Sequence, residues 1–95
     1  MVILQIEHPV PDFDAWKKIF DSDPGYRKEG KVRGYKILRP VDNLNYAIIH
    51  LEFDNANDAI SFQQVLKKLW ANVDGKLING PQSKILEIVE SKEII

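Results

Sequence analysis

The chain has 95 residues, 44% hydrophobic and 28% charged, with a formal net charge of −1. That length makes one domain, residues 1–95, and the near-neutral charge offers neither the positive face that phosphates need nor a pull toward anionic lipid. There is no cysteine, so disulfides, thiolate catalysis and zinc–thiolate sites are excluded, and a reducing cytoplasmic setting is expected.

No apolar run approaches the ~20 residues of a membrane span. The opening residues are too short and too acidic for a signal peptide. Neither a membrane nor a nucleic-acid partner is expected.

Val2 to Glu7 alternates with period two, Val2, Leu4 and Ile6 on one face and Ile3, Gln5 and Glu7 on the other. This is a strand, and His8 and Pro9 are expected to end it because proline cannot donate to a ladder. Asp12 reads as a helix N-cap with Asp14 in the first turn. Phe13, Trp16 and Phe20 then fall on one helical face, and the helix is expected to run from Phe13 to about Asp21. Ser22-Asp23-Pro24 looks like a second helical start, carrying a short turn through Tyr26 and Arg27 that ends before Gly30.

Lys31 to Arg39 predicts a second strand, with Val32, Gly34, Lys36 and Leu38 on one face and Arg33, Tyr35, Ile37 and Arg39 on the other. Residues 40–45 are rich in turn formers. Tyr46 to Phe53 is a third strand: Ala47, Ile49, Leu51 and Phe53 form an apolar face, Tyr46, Ile48, His50 and Glu52 a mixed one. The second and third strands should form an antiparallel hairpin. Asn55 caps the next helix, whose buried stripe is Ala59, Phe62, Leu66, Leu69 and Val73, with Val65 and Trp70 at its margins. Gln63, Gln64, Lys67 and Lys68 should face water, and Gly75 is a plausible stop. After Asn79-Gly80-Pro81, Ser83 to Glu90 predicts a last strand. Ile94 and Ile95 at the chain end suggest docking on something.

The order strand, helix, strand, strand, helix, strand predicts an α+β, ferredoxin-like βαββαβ fold, a four-stranded antiparallel sheet with two helices on one face. The opposite sheet face would carry Ile3, Ile37 and Ile48 among Gln5, Glu7, Arg33, Tyr35, Tyr46, His50 and Glu52. That mixture suits a semi-polar interior closed by a second sheet, hence a homodimer.

His8-Pro9-Val10, Asp12-Phe13 and Trp16, Asp23-Pro24, Arg27, Gly30, Leu38-Arg39-Pro40, Leu51-Glu52-Phe53 and Phe62 together resemble small members of the dimeric α+β barrel superfamily. That group also holds antibiotic-biosynthesis monooxygenases, haem-degrading monooxygenases and small cyclase-like proteins. The resemblance implies sheets paired into a barrel and a small aromatic or organic ligand inside. It places no catalytic motif on this chain.

His50 is the candidate base, since its pKa lies near neutrality and Glu52 or Glu7 can stand behind it; the plainer reading is a hydrogen-bonded residue filling the dimer interior. Arg33, Tyr35 and Arg39 can hold a carboxylate or enolate, or the arginines can pair with Glu7, Glu52 or Glu87. Tyr35 and Tyr46 can stack on a ligand or pair across the hairpin. His8 reads as a loop cap or surface residue, and its parity argues against a shared metal site with His50. No metal or cofactor is expected. The functional expectation is a cofactor-independent monooxygenase or cyclase acting on a small aromatic or polyketide-like molecule, the alternative a non-catalytic ligand-binding or structural dimer.

Overall fold

The structure is a computed structural model of the chain and describes residues 1–23, 26–73 and 78–95. Its elements are β1 (Val2–Pro9), α1 (Phe13–Asp21), β2 (Gly34–Leu38), β3 (Tyr46–Phe53), α2 (Ala56–Val73) and β4 (Gln82–Glu87). The four strands form one antiparallel sheet in the order β2-β3-β1-β4. This is the expected ferredoxin-like α+β arrangement. The expected roles of Pro24, Gly25 and Gly75 lie outside the described residues.

One sheet face is dry. Val2, Leu4, Ile6, Ala47, Ile49, Leu51 and Phe53 are buried there, joined by Trp16 of α1 and by Ala59 and Phe62 of α2. Ile78, which alternation alone did not single out, is buried with them. Asp12 caps α1 as expected, its Oδ1 accepting from the Ala15 N–H at 3.1 Å. Asn55 does the same for α2, accepting from the Asp58 N–H at 2.9 Å. Helix α2 lies directly on β1, β3 and β4. Helix α1 reaches the sheet through its rings: Trp16 meets His8 at 5.7 Å between centroids and Phe20 meets Tyr35 at 5.2 Å.

Several expectations need correction. β1 continues through Pro9, which pairs with Tyr46. The Val10 N–H points to β3, donating to the Asn45 carbonyl, so the Pro9 nitrogen faces the other side, where β4 pairing has already stopped at Glu7–Gln82. The missing donor therefore breaks no ladder bond.

β2 is shorter than expected and its faces are exchanged. Tyr35 pairs with Leu51 and Ile37 with Ile49, so both lie on the helix side, while Gly34, Lys36 and Leu38 lie opposite Glu52, His50 and Ile48 on the open face. Alternation divides a strand into two sets, but only the hairpin register decides which set goes inward. Gln63 does not simply face water: its Nε2 donates to Ser83 Oγ at 2.8 Å, tying α2 to β4. β4 ends at Glu87, and Ile94 and Ile95 are 92% and 116% exposed.

Candidate functional site

The open sheet face is laid out in cross-strand rows. One row runs Lys36, His50, Gln5, Lys84; the next runs Leu38, Ile48, Glu7, Gln82. Glu7, Tyr46, His50 and Glu52 all lie here, half-buried, as expected. His50 takes a different partner from the expected carboxylate. Its Nε2 donates to the Gln5 side-chain oxygen at 2.9 Å. Glu7 is engaged instead by the Tyr46 hydroxyl, which donates to Oε1 at 3.1 Å. Loss of solvent around Tyr46, then that bond and the nearby charge, hold its phenol above the usual range.

Arg33 and Tyr35 stand apart from this group. Arg33 precedes β2, is exposed, and donates from Nη2 to Asp54 Oδ2 at 2.6 Å. That bond and the Asp54 charge raise its pKa further. The pairing is with Asp54, not with Glu7, Glu52 or Glu87, because the chain entering the strand runs beside Glu52, whose carbonyl accepts from the Arg33 N–H. Tyr35 faces α1, and Arg39 lies over the Phe13 ring at 4.6 Å. Tyr35 and Tyr46 are thus on opposite sides of the sheet.

On the helix side the structure opens a cavity of about 220 Å³. Ile6, Ile49 and Leu51 form its floor, Trp16 and Phe20 of α1 one wall, and Phe62, Leu66 and Trp70 of α2 the other. Its polar groups are few: His8, Arg27 and Asn72. An apolar concavity with a few convergent polar groups is the usual form of a small-molecule site. Its volume exceeds the ~150 Å³ that admits benzene and falls short of the ~300 Å³ of drug-sized pockets, so it suits one or two fused rings.

His8 closes one end. It is only 2% exposed, which corrects the surface role expected for it. Strand alternation carries it to the same face as Ile6, and continuation of β1 keeps that face covered. A carbonyl can only accept, so Nδ1 is the donor to the Pro9 carbonyl at 3.2 Å. Nε2 has no hydrogen-bond partner among the described residues. Burial lowers the His8 pKa, against the smaller opposing effect of the Pro9 carbonyl, so the neutral ring presents Nε2 as a proton acceptor.

Beyond Trp16, which meets His8, the α1 wall continues through further rings. Trp16 lies 5.4 Å from Phe20, and the Arg27 guanidinium sits 4.1 Å over the Phe20 centroid and 5.1 Å from that of Tyr35. Sequence reading missed this site. Its one visible signal was a titratable ring at the end of an otherwise apolar strand face. Among the described residues no cluster of three His, Asp or Glu side chains is placed to hold a metal ion, and His8 and His50 lie on opposite sheet faces. Among them no helix is long and apolar enough to cross a membrane.

No family model and no curated protein sequence matches the chain. Solved structures do match in fold. An arginine-to-serine mutant of MhuD with two manganese protoporphyrin IX molecules per active site is similar at a TM-score of 0.73 and 14% identity, over 98% of this chain and 99% of that one. A mutant of SnoaB, a cofactor-independent oxygenase from Streptomyces nogalater, is similar at 0.69 and 12%, over 95% and 94%. A protein of unknown function from Nitrosomonas europaea is similar at 0.72 and 14%, over 99% and 94%. These likenesses show the ferredoxin-like fold, which two candidate antibiotic-biosynthesis monooxygenases also share at TM-scores of 0.64 and 0.67 and identities of 12% and 14%.

Proposed function

We propose that the helix-side cavity is the substrate site of a cofactor-independent monooxygenase or cyclase acting on a small aromatic, polyketide-like molecule. The observation that carries this reading is the buried His8, which lines a ring-walled apolar cavity of about 220 Å³ and whose Nε2 has no hydrogen-bond partner among the described residues. Likeness in fold to a cofactor-independent oxygenase supports it. In this reading His8, rather than His50, takes the proton of a phenolic hydroxyl. The electron-rich phenolate then reduces molecular oxygen directly: one oxygen atom is kept as a new carbonyl, the other leaves as water. For 1-naphthol the balance is one oxygen molecule consumed, one 1,4-naphthoquinone and one water formed. The apolar walls exclude bulk water and hold the ring in one orientation.

We also propose that the open sheet face pairs with a second copy of the chain. Ile3, Leu38, Ile48 and Leu86 lie on it among paired polar groups, and the fold is shared with a dimeric ferredoxin-like protein at a TM-score of 0.65.

The test is oxygen uptake with a panel of hydroxynaphthalenes and anthrones. Turnover should consume oxygen and form quinone in equal amounts, fall by ~10²-fold or more in His8→Gln, and persist in His50→Ala. Binding without oxygen uptake across the panel would favour a non-catalytic carrier, a reading to which the nearly all-apolar lining lends itself.

A further inference from the structure

The two ends of the cavity differ in charge, and this deepens the proposed function by specifying its ligand. His8 offers a neutral acceptor nitrogen at one end. Arg27, ion-paired with Asp23, is the cation among the described lining residues. We propose that the cavity takes an aromatic acid, its carboxylate or equivalent anionic group paired with Arg27 and its ring on the apolar floor. On the oxygenase reading, from which this inference starts, the substrate is then a hydroxyaromatic acid with its hydroxyl toward His8.

The competing role for Arg27 is structural, and its contacts show how far that role extends. Its backbone N–H donates to Asp23 Oδ1 at 2.9 Å, and Nη1 donates to the Phe20 carbonyl at 2.8 Å, near the carboxyl end of α1. Nε stands 3.5 Å from Asp23 Oδ1, an ion pair rather than a hydrogen bond. These contacts engage Nη1 and Nε. Nη2 has no hydrogen-bond partner among the described residues. Asp23 is not among the residues that line the cavity. The guanidinium carbon lies over the Phe20 ring and near that of Tyr35, and with the Phe20 carbonyl bond this holds the group in place before a ligand arrives.

An apolar cavity normally rejects an anion, because nothing repays its lost hydration. A cation with a free donor, set among rings, reverses that selection: it favours a molecule apolar over most of its surface and anionic at one edge.

Two probes of equal shape test the inference, 1-naphthoate and the neutral 1-naphthalenemethanol, each titrated against wild-type protein by quenching of Trp16 and Trp70 fluorescence. The expected result is binding of both, with the carboxylate preferred by about tenfold or more. Arg27→Gln should bring the two affinities together while leaving the alcohol within about threefold of wild type, which also shows that the variant folds. Arg27→Lys, which keeps the charge and loses the planar fork, should retain part of the preference. Equal wild-type affinities, or a preference that survives Arg27→Gln, would overturn the anion assignment and leave the cavity reading standing. If neither probe binds the wild-type protein, both fail.

Discussion

His8 carries its consequence into stability. In the unfolded chain it takes up a proton near its ordinary pKa of 6.5; in the fold burial lowers that value. Its contribution is therefore fully present above about pH 6.5 and is lost as pH falls from there toward the lowered native value, by at most ~1.4 kcal/mol per pH unit. Urea unfolding at about pH 7.5 and 5.5 should show a larger loss in wild type than in His8→Gln; equal losses would contradict a buried neutral ring. Gly30 has a different constraint. A Cβ built there would overlap the Phe62 ring, so the glycine is a point of contact between the chain before β2 and helix α2. Gly30→Ala should cost about 1–3 kcal/mol in urea unfolding, and trimming the ring in Gly30→Ala/Phe62→Leu should make the alanine less costly than it is beside phenylalanine.

At the scale of elements, the hairpin of β2 and β3 separates what sequence can reveal from what it cannot. β1 and β3 each have one strongly apolar set, so their inward faces were legible from alternation, as were both helices from their caps and ring spacing. β2 offers Tyr35 and Ile37 on one side and Gly34, Lys36 and Leu38 on the other. Neither set is decisively apolar, and a shift of one residue in register reverses them. The site was illegible for a related reason. A cavity is space left between side chains of several elements, and His8, Arg27 and Trp70 are far apart in the chain. Each looks like ordinary core or loop alone. The facing can be checked directly: Tyr35→Ala removes a ring packed on Phe20 and should cost ~1–2 kcal/mol, less than full burial because the residue is partly exposed. Lys36→Ala on the other side should stay within about 0.5 kcal/mol. A reversed ranking in thermal or urea unfolding would mean the opposite register.

At the scale of the molecule, light scattering at micromolar concentration should give a particle of about twice the 10.9 kDa chain mass. Ile48→Asp, placing a charge on the open face between Leu38 and Glu7, should shift it to monomer with unchanged circular dichroism. A wild-type monomer would refute sheet pairing. The pleat of β1 gives this experiment further reach. Glu7 and His8 are neighbours in the chain, yet one belongs to the surface proposed for assembly and the other to the cavity. The sheet acts as a septum one residue thick between two chambers, each lined by alternate residues of the same strands. Self-association and ligand capture can therefore be varied independently. A monomeric Ile48→Asp protein should bind 1-naphthoate within about threefold of wild type, whereas a larger loss would mean that the septum transmits occupancy from one chamber to the other.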